Sequence, residues 1–300
     1  MSNFVLIGAA GYIAPRHLNA IKETGNNLLA VMDPHDSVGI LDSFFPQAAY
    51  FSEFERFDRH IDKLIRKGQK IDYVSVCSPN YLHDSHIRFG LRIGANVICE
   101  KPLVIKPDNC EILIDKEKES KNKVYTVLQL RHHPLVIDLK NKIEKSDKRH
   151  IVHLSYLTAR GPWYEYSWKG DITKSGGLAM NIGIHFFDML VWIFGPLQSY
   201  KLYEKNVDYI SGNLSLEKAD VDWILSTRYD KIPNDIIEQG NTTYKKITVD
   251  NVEIDLSGGF TTLHDTVYQS ILDGKGYGIK DSYPSLALSY DIMKDVLRGK

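Results

Sequence analysis

Short apolar runs alternate with longer amphipathic segments through the first half of the chain. The runs are rich in β-branched residues and span 4–7, 28–32, 73–76, 96–99 and 124–127. Segments with helical periodicity lie near 11–24, 53–67, 81–94 and 107–121. Uninterrupted apolar strands are typical of a parallel sheet that helices cover on both faces. We therefore predict a doubly wound α/β fold for this half.

The pattern changes after about residue 150. Strands rich in Thr, Tyr and Val are predicted at 150–158, 221–229 and 246–250, with apolar helices at about 178–194 and 284–298. This order predicts an α+β domain with a largely antiparallel sheet, one face of which helices or another subunit must cover. We accordingly predict two domains, 1–125 and 126–300.

Composition and charge exclude several classes of protein. The 300 residues carry 37 Lys and Arg against 38 Asp and Glu, so no basic excess favours nucleic acid or an anionic membrane. The three cysteines, Cys77, Cys99 and Cys110, predict free thiols in a reducing compartment. The start of the chain shows no export signal, and the apolar stretch 180–197 contains His185 and Asp188. We expect a cytoplasmic protein.

A glycine-rich loop follows the first predicted strand. Its sequence, Gly8-Ala9-Ala10-Gly11-Tyr12-Ile13-Ala14, is a variant of the dinucleotide-binding fingerprint of Rossmann domains. Gly8, Gly11, Tyr12 and Ile13 are therefore candidate cofactor contacts, although such glycines can also merely close a turn. The second strand leads to Asp33, which can bind ribose hydroxyls, and no Arg or Lys follows in 34–36 to neutralise a 2′-phosphate. The loop predicts NAD rather than NADP.

Two further polar motifs follow predicted strands, where ligands of open α/β sheets bind. The first is Ser78-Pro79-Asn80 with His83, of which Asn80 could instead be a helix N-cap. The second is Glu100-Lys101-Pro102. A partly buried Lys loses its proton readily and can act as an acid or base, whereas the alternative is a surface Lys. We predict that Ser78, Asn80, His83, Glu100 and Lys101 lie at the cofactor.

The second half carries a third motif, in which Gly176-Gly177 precedes an apolar helix with Asn181, His185 and Asp188. On an α-helix these three residues share one face. His185 becomes a candidate proton acceptor, although a lone His in an apolar helix is usually a hydrogen-bonded core residue.

Taken together, these motifs resemble the Gfo/Idh/MocA oxidoreductase family, and the likeness spans the whole chain in order. Within it, residues 8–17 are most similar to the UDP-N-acetyl-2-amino-2-deoxy-D-glucuronate 3-dehydrogenases (the WlbA/WbpB group) of lipopolysaccharide O-antigen assembly. The resemblance implies a Rossmann domain and a substrate and oligomerisation domain, NAD as cofactor, and Lys101 and His185 as catalytic residues. It also implies a UDP-sugar uronate as substrate, oxidised at C3, and a homo-oligomeric dimer or tetramer. Many relatives carry Asp where this chain has Asn181.

An anionic sugar nucleotide needs cations nearby, and flat side chains can support it. The candidate cations are Arg131, Arg160, Lys169 and Lys174. The aromatic candidates, which could equally pack on the sheet, are Trp163, Tyr164, Tyr166 and Trp168. Because the histidines at 132, 133 and 185 lack metal-ligand spacing, we expect no metal.

Other functions remain open at this point. His185 is assigned as the proton acceptor and Lys101 as the ammonium that binds the reacting oxygen, but the reverse assignment is also consistent. The same scaffold could oxidise another sugar or polyol, hydrolyse glycosides with NAD used transiently, or serve as a non-catalytic NAD-binding regulator.

Overall fold

The computed structural model describes residues 1–256 and 262–299. By their contacts these residues form two compact units, Met1–Gln129 with Thr261–Ser282 and Leu130–Phe260 with Tyr283–Lys300. The N-terminal stretch of the first unit ends at Gln129, and we predicted a boundary after residue 125. The segment from residue 262 to Ser282, which we predicted in the second domain, groups with the first unit instead.

The strands of the described residues fall into two sheets of six. In chain order they are β1 Asn3–Ile7, β2 Asn27–Met32, β3 Ala49–Phe51, β4 Tyr73–Val76, β5 Asn96–Cys99, β6 Val124–Thr126, β7 His150–Thr158, β8 Leu197–Lys205, β9 Tyr209–Leu216, β10 Ala219–Ser226, β11 Thr243–Val249 and β12 Val252–Glu253. The helices are α1 Ala14–Glu23, α2 Leu41–Phe44, α3 Phe54–Arg66, α4 His83–Arg92, α5 Asp108–Ser120, α6 Pro134–Glu144, α7 Trp163–Tyr166, α8 Ile172–Ser175, α9 Ile184–Phe194, α10 Asn234–Glu238, α11 Leu263–Leu272 and α12 Ile279–Arg298.

The first unit contains a fully parallel sheet in the order β3-β2-β1-β4-β5-β6. This is the strand order of a Rossmann fold, which confirms the predicted fold class. The five predicted strands are present, and the three-residue strand β3 was missed because it is too short to show a pattern. Helix α11 packs on α1 and completes one apolar face. Within that core the rings of Phe4 and Tyr268 stack at 5.9 Å.

The second unit contains a mixed sheet in the order β12-β11-β7-β10-β9-β8. Its neighbouring strands are antiparallel except β7 and β10, so the largely antiparallel sheet is confirmed. The core lies between this sheet and α9, where the Phe187 ring meets Trp223 edge-on at 5.0 Å. The predicted helix 178–194 is present, but it begins with a π-helical turn at Ala179–Gly183.

One helical stretch among the described residues, Ile172–Phe194, is long and apolar enough to cross a membrane. Most of its apolar window, 72%, is buried inside the protein. Burial of this kind is typical of the core helix of a soluble protein. The stretch includes His185 and Asp188, the two residues on which we based the expectation of no membrane span.

Candidate active site

The loop after β1 turns too tightly to accept side chains at its glycines. Gly8 has φ +98°, and a Cβ there would lie 2.5 Å from the backbone carbon of Cys77. The Gly11 N–H donates to the Gly8 oxygen at 3.2 Å, and the Ala14 N–H donates to the Gly11 oxygen at 3.0 Å. The chain thus turns tightly into α1, and a helix N-terminus attracts phosphate. Tyr12 is 87% exposed beside this turn, and Ile13 is half-buried.

Asp33 joins the end of β2 to this loop. One carboxylate oxygen accepts the Ala10 N–H and the other accepts the His35 N–H, both at 2.9 Å. A carboxylate has lone pairs beyond these two bonds, so it can also accept ribose hydroxyls. Loop, helix start and acid together fit a dinucleotide.

The motif after β4, where we predicted cofactor contacts, is buried. Ser78 Oγ and Asn80 lie in the interior, and Ser78 Oγ is 2.8 Å from His86 Nδ1. His83 is fully buried, with Nε2 2.8 Å from the Ser78 oxygen and Nδ1 2.7 Å from the Pro102 oxygen. The N-cap of the short 3₁₀ turn that begins at Asn80 is Pro79, so Asn80 does not have the cap position we considered. His83 links this turn to the segment after β5.

Glu100 and Lys101 end β5 in different surroundings. Lys101 is half-buried and precedes a cis Lys101–Pro102 peptide bond. Glu100 is buried, and its Oε1 lies 2.9 Å from His17 Nε2 and 3.1 Å from His264 Nε2. Burial by itself raises the pKa of Glu100, but the hydrogen bonds from His17 and His264 hold it well below its usual range. Glu100 is therefore an internal anion.

Sequence reasoning missed His17, His86, His264 and Tyr268. The ligand atoms of His17, Glu100 and His264 all lie within 4.8 Å of one another, a spacing that could hold a metal ion. Hydrogen bonds account for the same contacts, since each ring nitrogen can donate to the carboxylate. His17 lies within residues 8–17, whose similarity to the WlbA/WbpB group could have drawn attention to it. No motif in the sequence pointed to His264.

In the second unit, two glycines lead the chain into the helix that carries His185. Gly176 has φ +78°, and a Cβ there would overlap the Met180 side chain. The π-helical turn that follows contains Asn181, so α-helical spacing relates only His185 and Asp188. Asn181 Nδ2 donates to the Tyr164 hydroxyl at 2.7 Å, and both Asn181 and His185 are half-buried.

Arg131 and Asp188 form a buried ion pair. Arg131 Nε and Nη2 donate to the two Asp188 oxygens at 2.9 and 2.8 Å, and Ser285 Oγ donates to Asp188 at 3.1 Å. Both charged side chains are less than a tenth exposed. Arg131, a predicted substrate contact, thus has an internal carboxylate as its partner, while His133 Nδ1 accepts the Leu135 N–H and caps α6.

Arg160 and Lys169 belong to an aromatic segment around α7. Lys169 Nζ lies 5.2 Å from the centre of the Trp163 ring and 5.8 Å from that of Trp168. Burial, and then the charge of Arg160, lower the pKa of Lys169. Lys174 pairs with Asp171 at 3.6 Å, and Tyr166 is 90% exposed. The segment combines two cations with flat apolar surfaces.

Comparison with known proteins agrees with this geometry. Residues 2–128 match the family described as "Oxidoreductase family, NAD-binding Rossmann fold", and residues 149–224 match "Oxidoreductase family, C-terminal alpha/beta domain". Among curated relatives, D-glucoside 3-dehydrogenase of Escherichia coli is 30% identical over 42% of this chain and 36% of that protein. Glucose-6-phosphate 3-dehydrogenase of Bacillus subtilis is 25% identical over 65% and 54%. The chain thus spans only about a third to a half of these two curated relatives.

Solved structures match over nearly the whole length. The WlbA (WbpB) dehydrogenase from Thermus thermophilus in complex with NAD and UDP-GlcNAcA is 44% identical over 98% of this chain and 95% of that chain, with a TM-score of 0.94. The same dehydrogenase in complex with NAD and alpha-ketoglutarate is 45% identical. The Bordetella pertussis WlbA dehydrogenase, 18% identical with a TM-score of 0.79, shares the fold. This chain belongs to the Gfo/Idh/MocA oxidoreductase family, and its first unit is that family's NAD-binding Rossmann domain.

Proposed function

We propose that this protein oxidises the C3 hydroxyl of UDP-N-acetyl-glucosaminuronate to the 3-keto sugar, with NAD as oxidant. The observation that carries the proposal is the 44% identity over 98% of the chain to a dehydrogenase solved with NAD and UDP-GlcNAcA. We also propose that the reaction serves lipopolysaccharide O-antigen sugar synthesis and that the protein is cytoplasmic.

The chain supplies two groups for this chemistry. Oxidation of a secondary alcohol needs a hydride acceptor, a base and a donor to the developing alkoxide, and bound NAD supplies the first. His185 takes the hydroxyl proton, and the Lys101 ammonium donates a hydrogen bond to the reacting oxygen. In the reverse assignment Lys101 is the base; the two groups can also titrate as a unit.

Other residues bind the cofactor and the substrate. The loop around Gly8 and Gly11 receives the pyrophosphate, and Asp33 accepts the ribose hydroxyls. Arg160 and Lys169 offer cations to the diphosphate or the carboxylate of the uronate. Asn181 orients a sugar hydroxyl without adding a negative charge. Arg131 remains a proposed substrate contact, although its Nε and Nη2 donate to Asp188.

The direct experiment incubates the purified protein with NAD and a panel of UDP-uronates, neutral UDP-sugars and free polyols. We expect 3-keto product from the UDP-uronate alone, and none from Lys101→Met or His185→Asn. Because one Thermus structure holds alpha-ketoglutarate with NAD, the assay is run with and without 2-oxoglutarate as an acceptor for tightly held NADH. Turnover of a free polyol but not of the uronate would replace the proposed substrate.

The same experiment separates the rival functions. A glycosidase that used NAD transiently would release a free sugar without net 3-keto product. A regulator would bind NAD and retain its function in Lys101→Met. We also propose a homo-oligomer, a dimer or tetramer, and sedimentation as a monomer at micromolar concentration would contradict it.

A further inference from the structure

We propose that a buried set of side chains, His17, His83, Glu100, His264 and Tyr268, positions Lys101 for catalysis. We call this set the histidine scaffold. The inference rests on the proposed function only in that it takes Lys101 as the catalytic lysine. The scaffold residues are positioning residues, because none of them is proposed to touch the substrate.

The carboxylate of Glu100 holds the backbone on the N-terminal side of Lys101. Its Oε2 accepts the Lys101 N–H at 3.2 Å, while its Oε1 takes both histidine contacts. The three donors come from α1, α11 and the end of β5. Glu100 therefore ties the lysine backbone to two helices at once.

The direction of each bond follows from the chemistry of the groups. Burial lowers the pKa of His17, so its ring is neutral at pH 7 and carries one N–H. That N–H goes to the Glu100 carboxylate, which only accepts, and His17 Nδ1 then accepts the Tyr268 hydroxyl at 2.7 Å. Tyr268 in turn accepts from Ser75 Oγ, 2.7 Å away. Each of these bonds has one donor and one acceptor, so no extra proton is needed.

His83 holds the other side of Lys101. Burial lowers the pKa of His83, so its neutral ring carries one N–H, which donates either to the carbonyl oxygen of Pro102 at 2.7 Å or to that of Ser78 at 2.8 Å. His83 thus packs between the residue after Lys101 and the turn after β4. His83, His17, His264 and Tyr268 are all completely buried. Packing of this kind fixes rotamers, because a buried polar side chain that moves leaves its partners unsatisfied.

Lysine needs such support because its ammonium sits on a flexible stem of four carbons. A misplacement of about 1 Å can cost a reaction about 10²-fold in rate. The scaffold restricts the Lys101 backbone on both sides, through the hydrogen bond to Glu100 and the packing of His83 beside Pro102. Loss of one scaffold bond should therefore lower kcat more than it weakens cofactor binding.

The test compares three variants. His264→Phe removes the donor to Glu100 and keeps a ring, whereas His264→Gln retains an N–H at a similar position. His150→Phe is the matched control, because His150 is a buried His in the second unit with its own carboxylate partner, Asp250, at 2.8 Å. Each variant is measured for kcat, KM and NADH affinity. Without cofactor, acetylation of Lys101 is followed by mass spectrometry against Lys116, whose side chain is 43% exposed.

We expect His264→Phe to lower kcat by about 10-fold or more, with KM for NAD within about twofold, and to speed Lys101 acetylation relative to Lys116. The kcat of His264→Gln and of His150→Phe should stay within about threefold of wild type.

A His264→Phe protein with a lower Tm but wild-type kcat and Lys101 acetylation would show that the scaffold is only structural. If His264→Phe does not fold, Tyr268→Phe removes one hydroxyl of the same network, and an unchanged kcat and acetylation rate there would overturn the inference. The acetylation result stands even if wild type fails to oxidise the uronate, so the two proposals fail separately.

Discussion

At the scale of single residues, Gly8 shows how little room the cofactor loop leaves for a side chain. Its positive φ excludes most residues, and an added Cβ would press on the Cys77–Ser78 backbone, which is not the movable end of a side chain. We expect Gly8→Ala to lower the free energy of unfolding by about 2–5 kcal/mol. Urea unfolding and NADH titration together measure this, and NADH affinity should fall as well.

Gly25→Ala is the matched control for Gly8→Ala. Gly25 also has a positive φ, +70°, but nothing lies within 4 Å of the added Cβ. It should cost only the backbone strain of about 1–2 kcal/mol and leave NADH affinity unchanged. Equal losses in the two variants would contradict a role for steric exclusion at the loop.

Asn181 tests why this chain departs from relatives that carry Asp at this position. We hypothesise that a uronate substrate, which brings its own carboxylate, disfavours another anion nearby. Asn181→Asp should then raise KM for UDP-N-acetyl-glucosaminuronate by about 10-fold, which corresponds to about 1.4 kcal/mol of repulsion. Steady-state kinetics with the uronate measure it, and neutral UDP-N-acetylglucosamine serves as a competitive inhibitor whose affinity should not change. Unchanged or improved activity on the uronate would reject the repulsion.

Sequence reasoning reached the residues whose role is local. The Gly8 loop and Asp33 follow their strands directly, so a strand pattern and a turn are enough to find them. Lys101 was found in the same way. The partners of Glu100 were not, because His17 is 83 residues away and His264 is 164 residues away. A hydrogen bond across that separation leaves no periodic signal in the chain.

At the scale of elements, the buried Arg131–Asp188 pair joins the 3₁₀ turn before α6 to α9, and Ser285 adds α12. Helix periodicity placed Asp188 on a common face with His185, but it could not show that the Asp188 carboxylate would form an ion pair with Arg131. The π-helical turn at Ala179–Gly183 escaped prediction for a similar reason, since a sequence pattern with period 3.6 does not reveal one extra residue in a turn.

This ion pair predicts a large asymmetry between single and double variants. Asp188→Leu leaves the Arg131 charge buried without its carboxylate and should cost about 3–5 kcal/mol. Combining it with Arg131→Met should recover much of that loss, because two apolar side chains need no compensation. Urea unfolding of the two single variants and the double variant gives the coupling energy.

An exposed pair provides the comparison for the buried one. Arg59 and Glu55 lie 2.9 Å apart on α3, and both are more than 70% exposed. Glu55→Gln should change stability by no more than about 0.5 kcal/mol. If Asp188→Leu cost as little as Glu55→Gln, the buried pair would have no structural importance.

At the scale of the whole molecule, residues that are far apart in the sequence belong to the same unit, and the order of elements along the chain does not show this. The alternation of strands and helices correctly predicted a Rossmann sheet followed by an α+β domain. It could not predict that α11, far beyond the last strand of the first sheet, belongs to the first unit. An amphipathic helix does not show in its own sequence which sheet it covers.

The position of α11 predicts that residues 1–129 cannot form a stable Rossmann unit alone. Helix α11 buries Leu263, Val267, Tyr268 and Ile271, each at most 3% exposed. At about 1.5–3 kcal/mol for each large side chain, their burial is comparable to the 5–15 kcal/mol that holds a whole domain together. The fragment should therefore unfold at low urea, be cut rapidly by protease and bind NADH weakly.

Fusing residues 262–282 to the fragment through a flexible linker of about 15 residues should restore cooperative unfolding and NADH binding. The same fusion with Tyr268→Ala should lose most of that gain, and a fragment 1–129 as stable as the fusion would show that α11 is dispensable to the first unit.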